Sequence, residues 1–191
     1  MQTSTQTEHE RWLLSFYRSS EINGALFFGR LARTMRSGPM QADMTQHFAD
    51  ESQHAAYWTK CMGDLGMHPL KLKGAYQDQY LEAGGLPVNM MEILAVTLVF
   101  ERRVVGQYVA HSKMPDLRPA VRDTLARIMN DERWHISWVS DALKGLEADY
   151  GKDDVEATIK RYSDADREVY QRTLHEHEAV IRELSMPVKS R

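Results

Sequence analysis

The sequence predicts an all-α fold, a bundle of four helices with one long crossover and an additional C-terminal helix. Three observations predict it. Proline and glycine divide the chain into five segments of helical apolar spacing, and no run shows the two-residue alternation of a strand. Two segments carry Glu-x-x-His, and two others carry a lone glutamate on an otherwise apolar face. A link of about 21 residues separates the second segment from the third, and a connection that long inside one domain needs a geometric reason.

The first segment runs from about Glu8 to Met35, with Leu14, Tyr17, Ala25, Phe28, Leu31 and Met35 near one side. Ser37-Gly38-Pro39 ends it, and Pro39 suits the first turn of the next helix. The second segment runs to Leu65, with Met44, Phe48, Glu51, Ala55, Trp58, Met62 and Leu65 at helical spacing and Gly66 just past its end. Met67 to Pro87 holds two prolines, three glycines and one short helical turn at Ala75 to Glu82. A helix of some 26 residues is roughly 39 Å long. The link can run back along that length, so that the third segment lies parallel to the second. The short breaks at 37–39 and 114–118 instead imply antiparallel neighbours.

The third segment runs from about Val88 to Lys113, where Met114-Pro115 breaks it. The fourth begins near Asp116 to Pro119 and reaches Ala148, with Val121, Leu125, Ile128, Glu132, His135, Val139, Leu143 and Leu146 on one stripe. A charged fifth segment, about Asp153 to Leu184, carries a thinner stripe through Val155, Ile159, Tyr162, Val169 and Val180. Residues 185–191 read as a loose tail. The expected division is a metal-binding bundle over 1–148, with the helix and tail of 149–191 packing on the bundle or on a partner subunit.

Composition excludes several classes. The 191 residues suffice for one domain with a proper core. A net charge of −3 gives no electrostatic reason to expect nucleic acid or an anionic membrane. No apolar run approaches the roughly 18–20 residues that span a bilayer, and Met1 to Arg11 lacks the apolar centre of a signal peptide. The single cysteine, Cys61, excludes intramolecular disulfides and any Cys-x-x-Cys module. The expected compartment is the cytoplasm.

The chemistry lies in two stretches of the same lettering, Asp50-Glu51-Ser52-Gln53-His54 and Asp131-Glu132-Arg133-Trp134-His135. A spacing of three on a helix puts carboxylate and imidazole on one face, a turn apart. Glu21 lies 30 residues before Glu51, and Glu101 lies 31 before Glu132. The chain therefore repeats a lone Glu followed by Glu-x-x-His. An ionised carboxylate aimed into a core is strongly disfavoured unless it is paired or bound to metal. Four facing one another repel, and some must bind protons. Two divalent cations balance four carboxylates, and two neutral imidazoles leave that balance unchanged. Mixed carboxylate and imidazole ligands suit iron or manganese better than thiolate-rich zinc sites do.

One Glu on each of two helices plus Glu-x-x-His on each of two others is the ligand set of ferritin-like di-metal carboxylate proteins. Over residues 8–148 the sequence resembles that superfamily. Ile128 to Val139 in particular looks like the fourth helix of bacterioferritins and rubrerythrin-type proteins. The resemblance implies that Glu51 and Glu132 bridge two irons, with a manganese–iron pair as the alternative. Glu21 and His54 are then terminal on one ion, Glu101 and His135 on the other. Asp50 and Asp131 become acceptors that orient the imidazoles through their other ring N–H. Tyr108, seven residues after Glu101, can hydrogen-bond near the site. Tyr17 and Trp58 read as core. His47, one turn before Glu51, reads as an ordinary partly buried histidine, with a supporting place beside the metal ligands as the alternative. His175 and His177, two apart on a helix, point to nearly opposite sides and do not form a joint site.

By the same resemblance the expected function is that of a non-haem di-iron oxidoreductase. It activates O2 to oxidise or hydroxylate a small organic substrate or a modified nucleoside. An external reductant supplies electrons, since no flavin or iron–sulfur motif is present. A homodimer is expected. The alternative is a ferroxidase of ferritin or bacterioferritin type, for iron storage or detoxification. Ser52 stands where bacterioferritins carry their haem-ligating methionine, so haem is not expected. Leu98 and Val104 stand where a rubrerythrin-type peroxidase carries a further carboxylate.

Overall fold

The computed structural model describes residues 4–72 and 76–184, with side chains from residue 7 to 178 except 73–75 and 77. Six helices account for nearly all of them, and no strand occurs among the described residues. They are α1 (Ser4–Thr34), α2 (Pro39–Asp64), α3 (Tyr76–Gly84), α4 (Met90–Ser112), α5 (Pro119–Tyr150) and α6 (Lys152–Leu184). Among the described residues, no helix is long and apolar enough to cross a membrane. The side chain of Val180 and the 185–191 tail lie outside the described residues.

The count differs from the five expected segments because the short turn in the link is a helix of nine residues, α3. α4 starts at Met90 rather than Val88. The Asn89 side chain accepts from the Glu92 N–H at 2.9 Å, while the Glu92 carboxylate accepts from the Val88 N–H at 2.9 Å. That reciprocal cap fixes the start, which apolar spacing alone sets too early. α5 and α6 are separated by Gly151 alone, whose φ of 88° lies in the left-handed region that glycine enters without steric cost.

α1 pairs with α2, and α4 with α5, as two hairpins. The hairpins meet along α2 and α5, where 47 lies by 138, 50 by 135 and 54 by 131. Residue numbers rise on one helix as they fall on the other, so α2 and α5 are antiparallel and α2 runs parallel to α4. The fourth edge of the bundle is open. No Cα of α1 comes within 8 Å of α4 among the described residues. α3 and α6 lie over that side, with α6 packed on α3, α4 and α5 of its own chain and touching α1.

The core has two parts, one on each side of a polar layer. Leu14, Tyr17, Trp58, Met62, Tyr108, Leu125 and Ile128 fill one part. Phe28, Met44, Leu94, Ala95, Leu98, Val139 and Leu143 fill the other. Each such side chain contributes about 2 kcal/mol on burial, which offsets the desolvation of the polar residues between them. Most of the expected stripes face these cores. Phe48 does not. It is 39 % exposed, because its ring lies across the backbone of α1 at Gly29 instead of inside the bundle.

The crossover helix is fastened through Asp166, which is 4 % exposed on α6. Tyr76 of α3 donates to its Oδ1 at 2.6 Å, and Arg103 of α4 donates to its Oδ2. Asp166→Ala leaves the half-buried Arg103 without its counter-ion and the Tyr76 hydroxyl without an acceptor. A loss of about 3 kcal/mol in urea unfolding is expected. A loss below about 1 kcal/mol would show that this contact does not hold α3.

Candidate metal centre

The polar layer consists of seven buried side chains from four helices: Glu21 of α1; His47, Glu51 and His54 of α2; Glu101 of α4; and Glu132 and His135 of α5. Each sits on the apolar stripe of its helix, between the two cores, so helical periodicity alone turns it inward. Their ligand atoms form two overlapping groups. Glu21, Glu51, His54 and Glu132 make one; His47, Glu51, Glu101 and His135 make the other; within each, one atom per residue lies within 4.8 Å of the rest. All six residues expected as ligands are therefore together, and a seventh joins them.

Two carboxylates face both groups. Glu51 belongs to each. Glu132 divides its oxygens, Oε1 lying 3.4 Å from His54 Nδ1 and Oε2 3.4 Å from His135 Nδ1. Glu21 Oε2 is 3.5 Å from His54 Nδ1, and Glu101 Oε2 is 3.8 Å from His135 Nδ1. His54 and His135 thus turn Nδ1 inward.

The outward nitrogens reach the aspartates, across the hairpin interface. His54 Nε2 lies 3.2 Å from Asp131 Oδ2, and His135 Nε2 lies 3.3 Å from Asp50 Oδ2. A carboxylate there keeps the ring proton on Nε2 and leaves the Nδ1 lone pair for a cation. The family resemblance implies these acceptors but not their crossing, which depends on the register between α2 and α5.

Glu21 is oriented from the core side. Trp58 donates its indole N–H to the Tyr108 hydroxyl at 3.1 Å, and Tyr108 donates to Glu21 Oε1. The direction of this relay is fixed, since an indole N–H only donates. Burial and the charges of Glu21 and Glu132 push the Tyr108 hydroxyl well above its ordinary range, so it keeps its proton. Tyr17 packs edge-on to Tyr108 with centroids 4.8 Å apart, as core.

His47 departs from the sequence reading. It is fully buried rather than partly so. Its ring lies between Phe28 and His135, with centroids 3.8 and 3.7 Å away. Its Nε2 is 3.2 Å from Glu101 Oε1 and 3.5 Å from Glu51 Oε1. Trp138 donates to its Nδ1 at 3.3 Å. The signal was present in the sequence, since a residue four before Glu51 shares its face. What it lacked was a repeat, because Asp131-Glu132 has no histidine one turn earlier. His175 and His177 do diverge: His177 stacks on Trp12 at 4.0 Å, and His175 is exposed.

The site fits a metal by its unmet valences. His54 Nδ1 and Glu132 Oε1 are buried without a hydrogen-bond partner, and both converge here. Native interiors rarely leave such atoms unsatisfied. Metal-free, the layer resolves its charge through protons. Burial and the charges of Glu21, Glu101 and Glu132 raise Glu51 well above the carboxylate range. Burial, with the Glu101 and Glu21 charges, pushes Glu132 up to about 8 against the hydrogen bond from His135. Burial opposes protonation of His54, but the adjacent Glu21 carboxylate and the Glu132 charge raise it to about 9. Burial likewise opposes the charge on Glu101, yet His47 and His135 hold it low. The centre is thus a set of buried His and Glu side chains able to hold a metal ion within an all-helical bundle.

One backbone position makes room for it. A Cβ on Gly24 would lie 2.1 Å from Glu51 Oε2, so the carboxylate rests directly on the α1 backbone. No family model, no curated protein and no solved structure matches the chain.

Two outcomes follow from this geometry. Gly24→Ala adds about 1 kcal/mol of helix propensity, yet displaces Glu51. A fall of at least about tenfold in Zn(II) affinity is expected in chelator competition, and unchanged affinity would remove Glu51 from the ligand set. The second concerns pH. In the metal-free fold Glu132 and His54 keep protons that the unfolded chain releases near 4.5 and 6.5. The stability they contribute is complete below those values and is lost as pH rises through about 8 and about 9. Melting temperature of the metal-free protein should therefore fall from pH 5 to 9. Metal loading at pH 7 should release protons, measurable by calorimetry in buffers of different ionisation enthalpy. Absence of proton release would contradict the assignment.

Proposed function

We propose that the chain is a ferritin-like, non-haem dinuclear oxidoreductase that uses O2 to oxidise or hydroxylate a small, largely apolar organic substrate. The carrying observation is a cavity of about 500 Å³ in the gap between α1 and α4, roofed by α3. That volume is in the usual range for a small-molecule site. Phe27, Phe28, Leu31, Leu81, Val96 and Phe100 line it, with Arg30 and Asp78 exposed at its rim. Two of its wall residues also touch the polar layer. Gly24 carries the Glu51 carboxylate on its backbone, and Phe28 stacks on His47. A substrate in the cavity lies one residue away from the carboxylates.

Glu21, Glu51, His54, Glu101, Glu132 and His135 would hold two ions, iron by the chemistry of this donor set. When bound, the metals supply the redox chemistry with O2, the protein supplying position and selectivity. The chain's own contribution is threefold. The crossed aspartates keep the Nδ1 lone pairs of His54 and His135 aimed inward. The Trp58–Tyr108 relay fixes Glu21. The apolar wall excludes water, which strengthens every electrostatic interaction at the layer. The modest net charge and the open bundle edge favour a substrate entering from solution, and an external donor supplies two electrons.

The test uses the full chain loaded with Fe(II). With a chemical reductant, O2 uptake is expected to rise on addition of small aromatic or aliphatic ligands. Val96→Trp, which fills the cavity, should abolish that rise while leaving the metal content at two ions per chain. A hollow multimeric shell that oxidises and stores many irons per chain, indifferent to Val96→Trp, would overturn this reading in favour of iron storage.

A further inference from the structure

Three buried imidazoles reach the polar layer, and their outer nitrogens meet different chemistry. His54 and His135 each turn Nε2 to an aspartate oxygen, an acceptor, at 3.2 and 3.3 Å. A ring so placed carries its proton outside and its lone pair inside, which is the state a metal needs. His47 turns its outer nitrogen, Nδ1, to the Trp138 indole at 3.3 Å. An indole N–H is a donor only. Nδ1 must therefore hold the lone pair, and in the neutral ring the proton sits on Nε2, facing the layer. Turning the ring over would set a C–H against the indole and strand a buried donor. Phe28 and His135, stacked on the two faces of the ring, fix its plane.

We propose that His47 is a neutral N–H donor shared by Glu101 and Glu51, not a third imidazole ligand, and that Trp138 sets this tautomer. The inference rests on the dinuclear reading above and adds to it a division of labour among seven residues of equal proximity. His47 Nε2 stands 3.2 Å from Glu101 Oε1 and 3.5 Å from Glu51 Oε1, while His135 Nδ1 approaches the other Glu101 oxygen, Oε2, at 3.8 Å. Its proton occupies Glu101 Oε1 and leaves Oε2, the oxygen nearer His135, for the cation. His47 is thus a positioning residue for the two carboxylates. Both ions then have one imidazole each, and the two halves of the site match in ligand number although only one half has this histidine.

The test is independent of turnover. Protein labelled with 15N-histidine is observed by long-range 1H–15N correlation, metal-free and after loading with two equivalents of Zn(II). His47 is expected to show protonated Nε2 and bare Nδ1 in both states, while His54 and His135 shift at Nδ1 on loading. Loss of the His47 Nε2 proton on loading, or a proton on Nδ1 in the metal-free state, overturns the proposal. Trp138→Phe should release the tautomer and bring Nδ1–H into the population; an unchanged pattern removes Trp138 from the argument. In a second measurement, His47→Gln keeps an amide donor and should hold two Co(II) per chain with unaltered ligand-field bands. His47→Leu should still hold two but about tenfold more weakly. His135→Gln should change the bands. If His47→Gln loses an ion or alters the bands as His135→Gln does, His47 is a ligand. If the unaltered protein takes up no Zn(II), the dinuclear reading fails, and the metal-free spectrum alone still decides the tautomer.

Discussion

Four carboxylates inside one helical bundle are the constraint from which the rest of this structure follows. Each is nearly inaccessible to water, and any two of them repel across a medium that screens weakly. Without metal the layer survives by keeping protons on Glu51, Glu132 and His54 that water would remove at neutral pH. Glu101 stays ionised between two imidazoles. The apolar blocks on either side hold the helices together while this layer strains against them. The bundle supplies the geometry at its own cost, and a cation bound there would relieve that cost. Such binding would couple folding to metal uptake.

Much of this was legible in the sequence, because helical periodicity carries side chains to a face without knowledge of the tertiary fold. Glu21, Glu51, His54, Glu101, Glu132 and His135 could be read by spacing alone, and all six converge. The aspartates were legible as acceptors. Their crossing was not, since it depends on the register between α2 and α5, which no local pattern specifies. His47 was misjudged because a single histidine without a counterpart in the other half carries little weight. α3 was undervalued because nine residues inside a glycine- and proline-containing link are too few for periodicity to separate a helix from a turn. Phe48 followed the stripe and still missed the core, since a bundle helix narrows its buried face where a neighbour's backbone comes close.

The open edge between α1 and α4 is the least predictable feature and the one with most bearing on function. Long side chains cross it at one level, where Tyr108 of α4 meets Glu21 of α1. At another level the cavity lies between the two helices. The long link and the C-terminal helix then have a shared purpose. α3 covers the gap, and α6 braces α3 through Asp166. An element that reads in sequence as an appendage supports the roof of the cavity.

The crossed aspartate–histidine pairs carry a consequence for how the protein assembles. Each hairpin owns one imidazole, but the group that aims it belongs to the other hairpin. Neither half is competent alone, and a bundle docked out of register by one turn would leave both rings misdirected at once. The centre would therefore act as a proofreader of its own scaffold: only the native docking of the two hairpins brings together groups able to hold a cation, and a cation bound there would reward only that docking.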